Sequence, residues 1–124
     1  MTSTATGREA EKAVAEYIKS EYGFKILDMN WRTRYCEIDI VAESRNGLIN
    51  RSKTVHFIEV KYRRNSTQGD GLEAITTTKL NQMHKAAEMW VHEHDWDQDY
   101  QLDVVSATGD SSNWQFDVRL NVYL

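Results

Sequence analysis

The sequence predicts an α/β fold in which a mixed β-sheet is flanked by helices, in the order α-β-β-β-α-β-β. Two long segments carry apolar residues three and four apart, which is the helical period, and five shorter segments show β-type alternation. A strand, a long helix and another strand follow one another in the second half, which favours a right-handed parallel crossover. Strands joined by a hairpin precede it, so antiparallel pairs are expected in the same sheet.

The first helix is predicted over residues 4–22. Ala10, Val14 and Ile18 recur at helical spacing, and Gly23 provides the usual stop signal. A strand with one irregularity is predicted over residues 24–32, because its apolar residues alternate only loosely.

A more regular strand is predicted over residues 35–43. Its alternation places Cys36, Ile38, Ile40 and Ala42 on one face, with Glu37 and Asp39 on the other. Residues 44–53 are polar, and the Asn46-Gly47 pair at their centre is a strong hairpin signal.

The remaining elements complete the predicted sheet. A third strand is expected over residues 54–62. Its alternation places one set of residues on one face (His56, Ile58, Val60 and Tyr62) and the other set on the opposite face (Val55, Phe57, Glu59 and Lys61). A polar loop over 63–71 leads into a long helix over 72–94, and two further β-type runs follow over 100–107 and 114–123.

Length and composition favour one domain spanning residues 1–124. The chain has a mass of 14.4 kDa, with 40% hydrophobic and 27% charged residues, which excludes a largely disordered protein. No run approaches the roughly 18 apolar residues of a membrane span. Residues 1–6 lack the features of a secretory signal, and Cys36 has no second cysteine to pair with. We therefore expect a cytoplasmic protein.

Charge is distributed unevenly around the net value of −4. Residues 1–64 contain twelve Lys and Arg against nine Asp and Glu, whereas residues 65–124 contain three against ten. The first half therefore carries +3 and the second −7. This asymmetry argues against a DNA clamp covering the whole surface and leaves a local nucleic-acid site open.

Charged residues within two predicted strands suggest a metal site. Glu59 and Lys61 project from one face, and Asp39 lies in the strand joined to theirs by the hairpin. The two carboxylates could bind one hard divalent cation, with the Val60 carbonyl as a further oxygen ligand. Glu11 of the first helix and Glu37 beside Asp39 could supply a further carboxylate to the metal or its water shell. Metal-assisted phosphodiester hydrolysis uses such parts, because the ion activates water and a lysine offsets developing charge. The alternative is that Glu59 and Lys61 form an ordinary solvent-facing ion pair on the strand surface, with no catalytic role.

Several motifs resemble the YraN-like family of endonucleases, which have a PD-(D/E)XK restriction-endonuclease fold related to Holliday-junction resolvases. The resemblance extends over about residues 7–105. It rests on five segments in the family's order: Gly7-Arg-Glu-Ala-Glu11, Asn30-Trp-Arg32, Glu37-Ile-Asp39, Phe57-Ile-Glu59-Val-Lys61-Tyr-Arg63, and Gly69 with Glu73-Ala74 and Lys79. Cys36 replaces the glycine that usually precedes the Glu-Ile-Asp segment.

The resemblance implies a restriction-endonuclease-like core and specific roles for several residues. Asp39 and Glu59 correspond to metal ligands, Lys61 to the catalytic lysine, and Glu11 to a carboxylate of the first helix. Lys79 falls where relatives carry a helix residue that approaches the site. The leading hypothesis is therefore a Mg²⁺- or Mn²⁺-dependent nuclease acting on DNA, including branched or recombination intermediates.

Binding and partner assignments are broader. Arg32, Arg34, Arg63, Arg64 and Lys79 are candidate phosphate contacts, with solvated surface charge as the alternative. A homodimer would suit an enzyme that cuts both strands of a duplex. Two other functions remain open: a non-catalytic nucleic-acid-binding module on a nuclease fold, and a protein-interaction subunit with an acidic contact surface.

Overall fold

The computed structural model describes residues 3–47, 52–64 and 75–123, with side chains of the first helix described from Gly7 onward. The described elements follow the predicted order. They are α1 (Ser3–Tyr22), β1 (Lys25–Arg32), β2 (Glu37–Arg45), β3 (Lys53–Arg63), α2 (Thr77–Glu93), β4 (Asp99–Thr108) and β5 (Gln115–Arg119).

The five strands form one mixed sheet in the order β1-β2-β3-β4-β5. β3 and β4 are parallel, as the intervening α2 requires, and the other three neighbouring pairs are antiparallel. The register of β1 against β2 shifts between Ile26 and Asp28, which confirms the predicted irregularity in the first strand. The predicted fold class is therefore confirmed.

The sheet separates two hydrophobic cores. Alternation along β3 directs Ile58 to the core beneath α1 and Phe57 to the core beneath α2. Val14 and Ile18 of α1 fill the first core, whereas Met83 of α2 packs in the second. No helix in the described part of the chain is long and apolar enough to cross a membrane.

Two element boundaries differ from the sequence prediction. α2 begins at Thr77, later than the predicted residue 72, because the Thr76 hydroxyl accepts the Lys79 N–H and caps the helix at that point. β5 ends at Arg119, before the predicted residue 123. Beyond it the backbone turns at Asn121, whose φ is 57°. The Asn46 N–H bonds the Ser52 carbonyl, but the tip of this hairpin and most of the 63–71 loop lie outside the described residues.

The predicted facing of the second strand is wrong at two positions. Ile40 and Ala42 pack in the α1 core, as neighbours two apart should, but Ile38 and Cys36 pack with the α2 core. The paired strand β1 makes the same change of face between Met29 and Trp31. Between those two residues lies Asn30, whose backbone has a left-handed φ of 53°. The two strands therefore rotate together at this point, and the acidic residues gather there.

Candidate metal site

The site begins where β2 and β3 cease to pair. Their antiparallel register runs from Arg45 opposite Lys53 to Ile40 opposite Ile58 and is not continued at Asp39. Instead, Asp39 Oδ2 accepts a hydrogen bond of 2.8 Å from the Val60 N–H. The Asp39 side chain thus satisfies a backbone donor that the neighbouring strand leaves unpaired. This bond fixes the carboxylate at the opening between the two strands.

Three carboxylates meet at this opening. Glu11 reaches it from α1, while Glu37 and Asp39 come from the same strand, and one oxygen of each lies within 4.8 Å of the others. The side chains of Glu11 and Glu37 are 16% and 23% exposed, so the cluster is partly shielded from water. Oxygen atoms of carboxylates are the ligands preferred by hard divalent cations, and the donor set fits such an ion.

Asn30 connects two members of the cluster. Its Nδ2 donates to Glu11 Oε1 at 2.7 Å and to Glu37 Oε2 at 3.1 Å. Asparagine tolerates left-handed backbone better than most residues, which suits the φ of 53° at this position. The unusual backbone conformation therefore presents an amide to two carboxylates that would otherwise repel each other.

Burial raises the pKa of Asp39 to about 8, and the negative charges of Glu59 and Glu11 contribute to the increase. The hydrogen bond from Val60 and the positive charge of Lys79 oppose it. Near neutral pH the carboxyl therefore holds a proton for which a cation could substitute. An elevated carboxyl pKa within a group of acids indicates negative charge that the surrounding residues do not fully balance.

Glu59 lies beside this cluster in a different arrangement. It is 7% exposed, and its carboxylate lies 3.4 Å from Lys61 Nζ and 3.8 Å from Lys79 Nζ. The negative charge of Glu59 raises the pKa of Asp39, so these two carboxyl groups lie near each other, as the sequence predicts. The three-carboxylate group contains Glu37, which the sequence offers as a further carboxylate, together with Glu11 and Asp39, and Glu59 lies outside that group. Glu59 as a metal ligand stays a prediction.

Other residues assigned from the sequence occupy the margin of the site. Val60 contacts Asp39 through its N–H, and its carbonyl as a ligand stays a prediction. Cys36 is half-buried, and burial raises the pKa of its thiol, with Glu59 and Asp39 adding to the increase and Lys79 opposing it. A raised thiol pKa disfavours the reactive thiolate form of this cysteine.

The candidate phosphate contacts are distributed around the same end of the sheet. Arg32 Nη2 lies 2.8 Å from Glu37 Oε1, so this arginine is tied directly to the acidic cluster. Arg34 lies over the ring of Tyr35 at 5.0 Å. Lys79 contacts Glu59, while Arg63 closes β3 and Arg64 follows it. Nucleic-acid binding by these residues remains a prediction.

Asn30 is the site residue to which sequence reasoning assigned no role. Its signal was present in the sequence, because an asparagine within a predicted strand is disfavoured unless the backbone or a hydrogen bond requires it. The partners of that amide lie on α1 and β2, and only the folded chain brings them together.

Fold and site together define an α/β protein whose mixed sheet carries an acidic cluster able to hold a metal ion. Comparison with known proteins gives the family: the chain belongs to UPF0102, described as "Uncharacterised protein family UPF0102", which it matches over residues 10–107. The matched range includes all three carboxylates of the cluster.

Relatives of the same family cover most of the chain. A UPF0102 protein of Fusobacterium nucleatum is 35% identical over 117 residues, which is 92% of this chain and 90% of the relative. One from Sulfurihydrogenibium is 34% identical over 110 residues, covering 88% and 89% respectively. One from Vibrio vulnificus is 30% identical over 115 residues, covering 89% and 88%.

Proposed function

We propose that this protein is a divalent-metal-dependent nuclease that hydrolyses phosphodiester bonds in DNA, with a PD-(D/E)XK-type site. The observation that carries the proposal is the convergence of Glu11, Glu37 and Asp39 at the opening between β2 and β3, next to Glu59 and the two lysines that Glu59 contacts. The YraN-like sequence motifs and the mixed sheet with one parallel crossover support the same assignment.

The cation would be held by Asp39 together with Glu11 and Glu37, and Glu59 is a further candidate ligand. Mg²⁺ or Mn²⁺ bound there would supply Lewis-acid chemistry, lowering the pKa of a water molecule and polarising a phosphate oxygen. The chain's own contribution is to fix the ligands. Val60 orients Asp39, and Asn30 holds the two glutamates.

Lys61 is suited to stabilise charge on the reacting phosphate. Its ammonium group lies 3.4 Å from Glu59 Oε2, and its side chain is 28% exposed, so it is positioned and still accessible to a ligand. Lys79 approaches the same carboxylate from α2 with equal exposure. The two lysine ammonium groups provide positive charge that can stabilise the negative charge of a reacting phosphodiester.

DNA would approach over the basic residues at this end of the sheet. Arg34 is exposed, and Lys85 and Arg34 both lie over the Tyr35 ring, at 5.7 and 5.0 Å. These side chains could contact phosphates on either side of the scissile bond. The acidic second half of the chain would favour a small contact area, such as one arm of a branched substrate.

The test is a cleavage assay on linear duplex, flapped and four-way DNA with Mg²⁺ or Mn²⁺. We expect metal-dependent cutting of at least one substrate, and a loss of about 100-fold or more in Lys61→Gln, because removal of one group that stabilises transition-state charge commonly has that effect. Lys19→Gln, an exposed lysine of α1, is the charge-matched control and should cut normally.

Two outcomes would contradict the proposal. If the wild type cuts none of these substrates with either metal but binds DNA in a salt-sensitive manner, the protein is a non-catalytic binding module. If Lys61→Gln cuts as fast as Lys19→Gln, the observed cleavage does not arise at this site.

A further inference from the structure

A second polar group lies on the α1 face of the sheet, across three neighbouring strands. Ser44 of β2, His56 of β3 and Asp103 of β4 form a continuous chain of hydrogen bonds. Ser44 Oγ is 2.7 Å from His56 Nε2, and His56 Nδ1 is 2.5 Å from Asp103 Oδ2. These are the contacts that link nucleophile, base and orienting acid in Ser-His-Asp sites, which are recognised by geometry and not by chain order.

The base and the acid are withdrawn from water. His56 is 4% exposed and Asp103 is fully buried. The ring of Phe24 stacks on the imidazole with 4.3 Å between centroids and 28° between planes. Water therefore has little access to the imidazole. The two ring nitrogens of the imidazole instead form hydrogen bonds with the serine and the aspartate.

Asp103 is oriented by two further donors. Its Oδ1 accepts from Gln101 Nε2 at 2.8 Å and from the Asn121 N–H at 2.9 Å, which leaves Oδ2 facing His56. A carboxylate that only accepts requires the neutral imidazole to carry its proton on Nδ1. Nε2 is then the acceptor, and the Ser44 hydroxyl must donate to it. This is the tautomer that activates a serine.

Ser44 is the accessible end of this chain. It is partly exposed, and the pairing of β1 with β2 ends at Lys25 opposite Glu43, so Ser44 lies just beyond the edge of that ladder. Five residues of strand separate it from Asp39, which is about 16 Å at the usual rise. The serine group is therefore a separate site from the acidic cluster.

We propose that Ser44 is an activated nucleophile that accepts an acyl group from carboxylic esters. Ser44 Oγ bonds to the acyl carbon while its proton passes to His56 Nε2. The bond from the acyl carbon to the alcohol oxygen then breaks, and the proton passes from His56 to the departing alcohol. The products are acyl-Ser44 and the free alcohol. Asp103 is a positioning residue that keeps the imidazole in the required tautomer.

The test uses p-nitrophenyl acetate as the acyl donor and mass spectrometry as the readout. Tryptic digestion separates Ser44 from Ser20, an exposed serine of α1 whose hydroxyl donates to the Tyr17 carbonyl at 3.3 Å. Fragment ions assign the acetyl group within each peptide. In the native protein we expect Ser44 to be acetylated at least about tenfold faster than Ser20, the effect of an adjacent general base. Denaturant should abolish the difference.

Asp103→Asn tests the positioning role, and circular dichroism with a thermal melt verifies that the variant is folded. We expect acetylation of Ser44 to fall at least about tenfold relative to Ser20 in the same sample, because the amide permits the wrong tautomer. Equal rates at Ser44 and Ser20 in the native wild type would overturn the proposal, whether or not the variant folds. An undiminished rate in folded Asp103→Asn would also overturn it.

Discussion

Asp39→Asn removes the ionisable group whose pKa burial raises to about 8, while the amide oxygen can still accept from the Val60 N–H. The folded pKa exceeds the ordinary value of 3.8, so the folded protein binds this proton more tightly than the unfolded chain does. The protonated carboxyl thus contributes fully to stability below pH 3.8, and this contribution is lost as pH rises through about 8. We expect the wild type to lose stability relative to Asp39→Asn across that window.

The size of this effect follows from the pKa difference. One pKa unit corresponds to about 1.4 kcal/mol, so the interval from 3.8 to about 8 sets a ceiling of about 6 kcal/mol. Water entry and side-chain relaxation around the ionised carboxylate reduce that cost. We therefore expect the free energy of unfolding of the wild type to fall by about 3 kcal/mol relative to the variant between about pH 5 and about pH 9.

The assay is urea unfolding of wild type, Asp39→Asn and Asp97→Asn in the presence of a chelator. Asp97 is an exposed acid of the segment between α2 and β4 and serves as the matched control. Its variant should follow the wild type at every pH. Mn²⁺ added in place of the chelator should restore the stability of the wild type at high pH and stabilise Asp39→Asn by at least about 1.4 kcal/mol less, because a ligand that binds only the folded state stabilises it in proportion to the logarithm of its affinity. A difference between wild type and Asp39→Asn that does not change with pH would refute the reasoning.

Substitutions at three further positions test separate parts of the structure. Asn30→Val should lower stability by about 2 kcal/mol more than Asn30→Gly in thermal unfolding, because a β-branched residue disfavours a φ of 53°; equal losses would contradict this. Gly109→Ala should lower the free energy of unfolding by at least about 2 kcal/mol, since φ is 112° and an added Cβ would collide with the Asn113 carbonyl. An unchanged free energy of unfolding would contradict this account of the turn. Glu59→Gln should lower the pKa of Asp39 measured by NMR, because the Glu59 charge raises it; an unchanged pKa would mean that the two groups do not interact.

The element order could be predicted because its signals are local. Helical spacing of Val14 and Ile18 predicts α1, and the alternation of Phe57 and Ile58 predicts the two faces of β3. Both are confirmed by the cores in which these residues pack. The order strand, helix, strand predicts the parallel pair correctly, since handedness and reach leave few other connections.

The facing of β2 could not be predicted from alternation alone. Ile38 and Ile40 are two apart, yet they pack on opposite sides of the sheet. The change depends on a positive φ at Asn30 in the adjacent strand and on the separation of β2 from β3. Both features belong to the neighbouring strands, and the alternation of residues within β2 contains no information about them.

The acidic cluster was predictable only in part. A mid-strand aspartate indicated Asp39, and Glu11 and Glu37 were candidates for a further carboxylate. The choice of Glu37 as the third member depends on the rotation of β2, and the pairing of Glu59 with two lysines depends on where α2 lies. The sequence defines candidate ligands, whereas tertiary packing selects among them.

The Ser44, His56 and Asp103 group shows the same limit more strongly. The strand pattern predicts His56 on the same face as Ile58, and a histidine among apolar residues is a signal that it needs a partner. Its partner in β4 is 47 residues away in sequence. The register across three strands brings the hydrogen-bonding atoms together, and the alternation of each strand taken singly does not reveal that register.

A calorimetric titration of Mn²⁺ into the wild type and into Asp39→Asn tests the central claim most directly. The acidic cluster predicts that the wild type binds the ion near neutral pH with release of a proton, since Asp39 is protonated before the ion binds. The variant should bind it at least about tenfold more weakly, because it lacks one charged ligand. Absence of Mn²⁺ binding in the wild type, even with DNA present, or equal affinity in the variant, would contradict a metal site at this opening of the sheet.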